Sequence, residues 1–489
     1  MRSLRCERGN ALPRLGVDTG LTAPALLRRH NLAPLLLVNL GVGMHAMIWY
    51  MASTVMPSVV TDLHAAAFIS WATSVYLVTM ILGAVAMAPA KARLGARGSM
   101  LVAGLTVMLG SAVAAAAPTI FFVLAGRALQ GLGEGMLVAL SYALVRELFD
   151  NTLVPKVFGI QAATWGVAIF LGPLAGGWLT EAISWRAAFV GSALLPIPLL
   201  ALGWHILRHQ RPRPAQNQAA PWMRLLLLAV AVMAITVADR LPPPTPGFAV
   251  IAFGLALIAL VVALDRCQPP HLFPTAFPGL GHPVSLGLWV ILLMPLAQAP
   301  VYVYGPFILQ MHRDLSPTMA GYFGATHAMA WSITAMLAPA LPTRWHRRTI
   351  VLGPVLLTLG LAGIGLTIAT QPLALVVLSL ILVGVGFGVC NMFINQAVMA
   401  HAQAGQEDET SGAIPTVQGL GGAVSAALAG LIGNAVGLDQ AQDPDAVARA
   451  ANAMYGGGAL LALLSVWMAT RLLRMLAKTP GAKGLWRSS

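Results

Sequence analysis

Basic residues alternate between two sets of connections along this chain. Long apolar stretches follow one another, and 24 of the 29 lysines and arginines lie in the terminal segments or in every second connection. Only Arg186, Arg240, Arg313 and Arg449 lie in the remaining connections, and Arg127 lies inside an apolar stretch. Because membrane proteins retain positive charge on the cytoplasmic side, the pattern predicts a multi-pass membrane protein with cytoplasmic termini and an even number of crossings.

The composition is that of a chain surrounded mostly by lipid. Hydrophobic residues make up 58% of it, charged residues 9%, and the mean hydropathy is +0.78. The net charge of +13 is spread over short connections, unlike the concentrated basic face of a nucleic-acid-binding protein. Neither a phosphate-binding loop nor an H-E-x-x-H zinc motif occurs. We therefore predict no cofactor, no metal, no nucleic-acid partner and no enzymatic activity.

Apolar stretches long enough to cross a bilayer predict about fourteen membrane helices. They lie near residues 33–60, 69–90, 99–117, 120–145, 157–180, 187–207, 222–239, 247–264, 284–310, 317–342, 349–369, 373–400, 411–437 and 452–476. The connections between them are too short to hold a soluble domain.

A short glycine repeat links the fourth and twelfth spans. Gly131–Gly135 (Gly-Leu-Gly-Glu-Gly) has the same glycine spacing as Gly384–Gly388 (Gly-Val-Gly-Phe-Gly). The repeat indicates either two related halves, which are common in secondary transporters, or ordinary glycine packing at helix crossings.

The fourth span contains the most unusual chemistry. Arg127, Gln130 and Glu134 are separated by three and four residues, so they share one helical face. A charge at mid-bilayer costs about 2.5–3.5 kcal/mol, which favours a functional role over simple charge balance. Burial disfavours the ionised form of a carboxyl, whereas Arg127 favours it. We therefore predict that Glu134 binds and releases a proton, with Arg127 and Gln130 beside it.

Five motifs, in order along the chain, carry a resemblance to a known family. They are Pro57-Ser58-Val59-Val60-Thr61-Asp62-Leu63, Trp71 with Tyr76, Arg127-Ala128-Leu129-Gln130-Gly131-Leu132-Gly133, Gly166 with Gly172-Pro173-Leu174-Ala175-Gly176-Gly177, and Ser184-Trp185-Arg186 with Phe189. The chain resembles the fourteen-helix drug:proton antiporters of the major facilitator superfamily from about residue 32 to residue 473.

The resemblance implies an all-α membrane fold with two six-helix bundles and two extra central helices. Its parts would be a basic cytoplasmic tail (1–31), an N-terminal six-helix bundle (32–207), a linker with the two extra helices (208–283), a C-terminal six-helix bundle (284–476) and a cytoplasmic tail (477–489). It also implies proton translocation by Arg127. A kink at Pro173 and close helix approach at Gly172, Gly176 and Gly177 predict a gate, although ordinary glycine packing with no moving part explains the same residues. Gly95 and Arg97, in the connection between spans two and three, are predicted to belong to the inner gate.

Three positions depart from the family pattern. Ala88 and Ala92 stand where relatives carry Gly and Asp in the connection between spans two and three, so the inner gate is expected to be looser or stabilised differently. Ile48 stands where relatives often carry an Asp in the first span. Proton binding would then fall to Glu134, or coupling would be absent.

Polar and aromatic residues of the spans are candidates for a substrate cavity. The predicted cavity residues are His45, Trp49, Tyr304, His327, Trp331, Asn391 and Asn395. Aromatic and methionine side chains suit amphipathic or aromatic substrates. Ordinary packing or interhelical hydrogen bonding explains the same residues without a substrate.

These observations favour a monomeric, proton-driven exporter of small, drug-like compounds in a bacterial inner membrane, working by alternating access. One alternative is an importer of an organic anion in which Arg127 binds a carboxylate. A membrane receptor that does not transport is a third possibility, disfavoured because the chain has no signalling domain. The bacterial assignment rests on the excess of Arg over Lys and on abundant Ala, Leu and Gly, as in genomes of high GC content.

Overall fold

The computed structural model describes residues 29–150, 152–209, 221–238, 247–269, 271–438 and 444–478. Nearly all of the predicted N-terminal tail, Asp239 and Arg240, and the end of the C-terminal tail lie outside the described residues. Within the described residues every regular element is helical. The α-helices are α1 (Arg29–Asp62), α2 (Ile69–Ala115), α3 (Ile120–Leu148), α4 (Val154–Ala182), α5 (Trp185–Leu194), α6 (Pro196–Ile206), α7 (Trp222–Val237), α8 (Gly247–Cys267), α9 (Pro283–Val303), α10 (Gly305–Met311), α11 (Pro317–Leu337), α12 (Thr343–Thr367), α13 (Leu373–Ala400), α14 (Glu407–Ala435) and α15 (Pro444–Lys478).

Eleven helices in the described part of the chain are long and apolar enough to cross a membrane. The prediction of an all-helical, multi-pass membrane protein is therefore confirmed. Two predicted spans share α2, which turns at Gly95 with φ 72°, a conformation that glycine adopts without steric cost. The predicted spans near 187–207 and 284–310 are each divided, at Leu195 and Tyr304, just before or near a proline that cannot donate a helical hydrogen bond. The count of fourteen crossings stays a prediction.

The helices form two groups with a seam between them. We call α1–α6 the N-terminal group and α9–α15 the C-terminal group. Within them, α2 packs along α3, and α12 packs along α13. Across the seam, α4 packs against α11 on one side and α2 against α14 on the other. The predicted domain boundaries at residues 207 and 284 are close to the ends of these groups but stay predictions.

The two extra helices cover one side of this seam. Helices α7 and α8 pack together, and α7 contacts both α2 and α14. Val78, Val232 and Leu420, one from each of these helices, belong to the same buried apolar cluster. The extra pair therefore bridges the two groups.

A buried ion pair fastens the extra pair at one end. Arg224 of α7 pairs with Asp265 of α8, and their side chains are only 8% and 4% exposed. Asp265 also accepts hydrogen bonds from the backbone N–H groups of Leu272 (2.8 Å) and Phe273 (2.9 Å). The loop thus held continues to Thr275, whose N–H donates to Oε1 of Gln406 in the C-terminal group (3.1 Å). One carboxylate therefore organises the link between the extra pair and the C-terminal group.

The contacts between the two groups differ between the two ends of the bundle. We call the end where α1 finishes the Asp62 end, and the opposite end, where α2 turns, the Gly95 end. At the Asp62 end, Gln310 donates to the Thr54 carbonyl oxygen (2.9 Å) and Thr318 N–H donates to Glu181 Oε1 (2.8 Å). Both bonds cross from one group to the other. The two groups are therefore fastened together at the Asp62 end.

At the Gly95 end, charged residues hold together elements of the N-terminal group. Lys91 pairs with Glu147, and the Arg97 guanidinium lies 3.1 Å from the centroid of the Trp204 ring. The basic residues of the α2 turn, where Ala92 replaces the family's Asp, are thus engaged inside their own group.

Candidate functional site

Glu134 lies at the centre of a buried polar cluster. Its side chain on α3 is fully buried. Oε2 accepts a hydrogen bond from the Tyr76 hydroxyl (2.5 Å) and lies 2.8 Å from Nδ1 of His45. Oε1 is buried and has no hydrogen-bond partner. Three helices, α1, α2 and α3, therefore bring their polar groups to one carboxyl group.

Arg127 joins the same cluster by a different route. Its Nη1 donates to Gln130 Oε1 (2.8 Å), and Gln130 Nε2 donates to Ser111 Oγ (2.8 Å). Seven residues of helix separate Arg127 from Glu134, about 10 Å along the axis. The two are linked through Tyr76, because the guanidinium lies 4.0 Å from the centroid of that ring. The three residues predicted from the fourth span are thus buried together, with Tyr76 between the charges.

Close packing of α2 on α3 explains how Tyr76 reaches the carboxyl group. A Cβ atom at Gly131 would overlap the Tyr76 carbonyl oxygen, and one at Gly135 would overlap the Met80 carbonyl oxygen. Glycine at both positions lets the two backbones approach closely, as is common in membrane helices. The ring of Tyr76 is then held beside the same face of α3 that carries Glu134.

Helix α4 supports the His45 side of the cluster. The Trp165 ring meets the His45 ring edge-on, with centroids 5.5 Å apart. A Cβ at Gly172 would lie 2.6 Å from the Cβ of Tyr50 on α1. The glycines of the predicted antiporter signature therefore serve the contact between α1 and α4.

The same signature also meets the C-terminal group. Pro173 packs at Gly321 of α11, and Gly177 lies against the backbone of Thr318, so close that a Cβ there would overlap it. The predicted gating residues Gly172, Pro173, Gly176 and Gly177 therefore lie at two crossings, one within the N-terminal group and one across the seam.

A small cavity lies between the two groups beside Arg127. Trp49 from α1 and Tyr302 from α9 line it. Their ring centroids are 5.4 Å apart, and Trp49 is also 5.4 Å from Tyr76. Aromatic rings thus connect the cavity to the hydroxyl group that bonds Glu134.

The predicted cavity residues of the C-terminal group do not line this cavity. Tyr304 contacts Phe307, with ring centroids 6.3 Å apart. His327 is buried, and Oδ1 of Asn395 is buried with no hydrogen-bond partner. Asn391 lies one helical turn before it on α13. Of the predicted set, Trp49 lines the cavity and His45 joins the cluster around the carboxyl.

The glycine repeat corresponds to a repeat of helix contacts. Gly384 of α13 faces the backbone carbonyl of His327 on α11, and Gly388 faces that of Trp331. These two carbonyl groups are four residues apart, as are the carbonyl groups of Tyr76 and Met80 on α2 that face α3. At the position of the buried carboxyl, however, α13 carries Phe387, whose ring lies 5.8 Å from that of Trp331. The packing is thus repeated in the two groups, whereas the position of the buried acid on α3 is occupied by an apolar ring on α13.

Trp185 and Arg186 tie the N-terminal group at the Asp62 end. Trp185 Nε1 and Arg186 Nη1 both donate to Asp62 Oδ2, at 2.9 and 3.1 Å. Arg186 Nη2 also donates to the Ala117 carbonyl oxygen (3.2 Å). Two of the sequence motifs therefore meet each other in space.

The direct partners of Glu134 were not predicted from the sequence. Neither Tyr76, a motif and cavity residue, nor His45, a cavity residue, was placed beside the carboxyl group. Their spacing along α1 and α2 carries no information on how those helices are rotated toward α3. The glycines at positions 131 and 135 were the available signal, since they indicate which face of α3 a neighbouring helix approaches.

Comparisons with known proteins agree with this architecture. The Major Facilitator Superfamily model matches residues 38–426. A "probable multidrug-efflux transporter" of Mycobacterium tuberculosis is 31% identical over 412 residues, which cover 81% of this chain and 86% of that protein. The multidrug efflux pump LfrA of Mycolicibacterium smegmatis is 26% identical, with 82% of each chain covered. A peptide transporter POT, solved with sulfate, superposes with a TM-score of 0.65 at 17% identity over 90% of this chain and 95% of its own.

Proposed function

The chain belongs to the major facilitator superfamily, and from that premise we propose that it exports small amphipathic or aromatic compounds in exchange for protons. The resemblance inferred from the five motifs is confirmed, and both the fold and the relatives are those of transporters. The relatives named as multidrug-efflux transporters support drug-like substrates. The buried polar cluster supports the coupling to protons.

The main support for this proposal is a fully buried carboxyl group that is linked, through the Tyr76 ring, to a cavity between the two groups. Glu134 bonds Tyr76, and Tyr76 touches Trp49, which lines the cavity. An ionisable group at this depth is costly in a membrane protein and is functional by default. Its connection to the cavity makes proton binding and substrate binding mutually sensitive.

In the proposed cycle a proton from outside binds Glu134 and an outgoing substrate leaves the cavity. Arg127 and Gln130 hold the cluster in place, with the guanidinium against the Tyr76 ring. Trp49 and Tyr302 offer flat faces to an aromatic or cationic compound. Each proton that moves inward supplies about 2.3 kcal/mol per 100 mV of membrane potential, which drives the substrate outward.

Alternating access is supported by the unequal ends of the bundle. The hydrogen bonds of Gln310 and Thr318 join the groups at the Asp62 end, whereas Arg97 and Lys91 are engaged within one group at the other end. We assign the Asp62 end to the outside, so this arrangement is the one closed outward. Pro173 and Gly177 at the α4–α11 crossing would then act as the gate.

The proposed topology follows the distribution of basic residues. Both termini and the Gly95 end face the cytoplasm of a bacterial inner membrane, with fourteen crossings and a single chain as the working unit. Tyr304, His327, Trp331, Asn391 and Asn395 are proposed as further substrate contacts. Because none of them lines the cavity beside Arg127 in this arrangement, a substrate in that cavity reaches them only when the groups move.

Inverted membrane vesicles test the proposal. In vesicles with an acidic interior, wild-type protein should accumulate the aromatic cation ethidium, and an ionophore that collapses the pH gradient should release it. Glu134→Gln should abolish the accumulation while leaving the purified protein monodisperse. Accumulation that is indifferent to the gradient, or undiminished in Glu134→Gln, would contradict proton coupling through this carboxyl.

The same vesicles separate the other two functions. An importer of organic anions would deplete, rather than fill, inverted vesicles, and Arg127→Lys would weaken its binding of a carboxylate. The position of Arg127 in the cavity lining favours this alternative over the receptor. A receptor would bind ligand in detergent and move none of it across liposomes.

A further inference from the structure

Three side chains meet at Glu134. The Tyr76 hydroxyl and Nδ1 of His45 approach the same oxygen, Oε2, at 2.5 and 2.8 Å, and the hydroxyl also lies 3.0 Å from Nδ1. When Glu134 is a carboxylate, Oε2 only accepts, and Nδ1 of His45 is then the nitrogen that carries the hydrogen atom of the neutral imidazole. The carboxylate therefore sets the tautomer of the imidazole, in the manner in which buried acids orient histidines.

His45 is the titratable group that α1 brings to this cluster. It is 6% exposed. Ile48, one turn further along the same helix, is buried and apolar. The imidazole also contacts the uncharged Trp165 ring of α4. His45 is thus enclosed by the carboxylate on one side and an aromatic ring on the other.

Two other polar side chains lie near the pair. Arg127 of α3 contributes a positive charge over the Tyr76 ring. Tyr76 of α2 contributes a neutral hydroxyl, which donates to Glu134. With Arg127 and the carboxylate opposing each other, the cluster is near neutrality when the imidazole is neutral. A proton on Nε2 of His45 then adds one positive charge directly beside the carboxylate, where it is best compensated.

Because Nδ1 of His45 lies 2.8 Å from Oε2 of Glu134, a proton bound by the imidazole adds a positive charge that the carboxylate compensates directly. We infer that His45 and Glu134 hold the coupling proton as a pair, with the imidazole as the group that gains it and the carboxylate as its counter-ion. This inference rests on the proposed proton-coupled transport. It reassigns His45 from a substrate contact to a proton-carrying residue.

The step is a simple proton exchange. A proton that enters from the outside forms the N–H bond at Nε2 of His45, and the resulting imidazolium keeps its hydrogen bond to Oε2. When the cluster later opens to the cytoplasm, Nε2 gives the same proton to water and returns to the neutral imidazole. Oε1 of Glu134, which has no partner, is left free to meet a cationic group of the substrate in that deprotonated state.

The test compares His45→Gln with Glu134→Gln and with a control, His205→Gln. Glutamine at position 45 keeps an N–H donor for Oε2 but binds no proton. His205 lies on the exposed surface of α6, away from the cluster. We expect His45→Gln to bind ethidium and to exchange it by counterflow, while its accumulation under a pH gradient is lost, because glutamine at this position carries no proton. His205→Gln should match the wild type.

Each outcome decides between the proposals. Gradient-driven accumulation with the wild-type pH profile in His45→Gln, and its loss in Glu134→Gln, would overturn the pair and leave the proposed function standing. Undiminished accumulation in both variants would overturn both proposals. Loss of ethidium binding and of counterflow in folded His45→Gln would make His45 a substrate contact and would overturn the pair.

If neither His45→Gln nor His45→Asn folds, a measurement on the wild-type protein tests the inference instead. Ethidium is added to the protein in weakly buffered detergent solution, and the protons released are recorded as a function of pH. Release that coincides with deprotonation of an imidazole, followed by 15N NMR of histidine-labelled protein, supports the pair, and release that leaves every imidazole signal unchanged overturns it.

Discussion

The hydroxyl of Tyr76 donates a hydrogen bond to Glu134, and the guanidinium of Arg127 lies over the ring of the same side chain, 4.0 Å from the ring centroid. One side chain thus separates a buried anion from a buried cation and contacts both. Direct contact would lock the two charges into an ion pair, which is costly to break in a medium of low dielectric constant. An intervening phenol stabilises both charges and leaves the carboxylate able to exchange partners.

Replacing Tyr76 by Phe tests this arrangement. The ring beneath Arg127 remains, but the carboxylate loses a donor whose bond contributes about 1.5–3 kcal/mol. Because the buried anion then loses this bond, export at neutral pH should fall by roughly tenfold. Transport by vesicles is measured across a pH series. Tyr142→Phe, at an exposed position of α3, is the control and should leave the profile unchanged; undiminished export by Tyr76→Phe would contradict the role of the hydroxyl.

Gly131→Ala tests whether the α2–α3 approach positions the cluster. Its Cβ would overlap the Tyr76 carbonyl oxygen, so the helices must separate and overpacking should cost about 1–3 kcal/mol. We expect a lower thermal unfolding midpoint in detergent together with loss of transport. Gly166→Ala adds the same methyl group on α4, where nothing lies within 4 Å of the new atom, and should be neutral or slightly stabilising. Equal midpoints for the two variants would show that the close approach is unimportant.

Sequence patterns predicted the helices well because the signal is local. Hydrophobic length and the positions of Lys and Arg constrain each span separately, and the three-four spacing of Arg127, Gln130 and Glu134 places them on one face of one helix. The partners of Glu134 depend instead on the rotation of α1 and α2 about their own axes. That rotation is decided by packing between helices, and a single sequence records it only indirectly, in the glycines of α3.

The position of the extra helices in the bundle could not be predicted from the sequence for the same reason. Hydropathy identified two apolar stretches between the bundles but gave no information on which side of the seam they occupy. The side is determined by the fit of α7 between α2 and α14, where Val78, Val232 and Leu420 meet. The buried pair of Arg224 and Asp265 likewise joins residues 41 positions apart, a separation with no helical periodicity to reveal it.

Asp265→Asn should be strongly destabilising. Removal of one partner from a buried ion pair costs about 3–5 kcal/mol, and Asp265 also holds the N–H groups of Leu272 and Phe273. Glu147→Gln removes the acid of a more exposed pair, in which the side chains of Lys91 and Glu147 are 24% and 29% exposed, and should cost at most about 1 kcal/mol. Thermal unfolding midpoints in detergent compare the two. A midpoint for Asp265→Asn as high as that of Glu147→Gln would mean that the extra pair does not depend on this carboxylate.

His282 should make the stability of the protein depend on pH at the start of α9. Its Nδ1 accepts a hydrogen bond from the N–H of Val284 (3.3 Å) and so caps the helix, which only the neutral imidazole can do. Burial, and secondarily the neighbouring His401, lower the pKa of His282 below its usual 6.5. The unfolded chain therefore binds a proton more readily than the folded one, so this contribution is present above about pH 6.5 and is lost as the pH falls through the lowered value. A cap of this kind contributes about 0.5–2 kcal/mol. His282→Asn keeps a capping acceptor that does not titrate, so its unfolding midpoint should fall less than that of the wild type between neutral and mildly acidic pH. Parallel falls in the two proteins would show that the acid sensitivity comes from other groups.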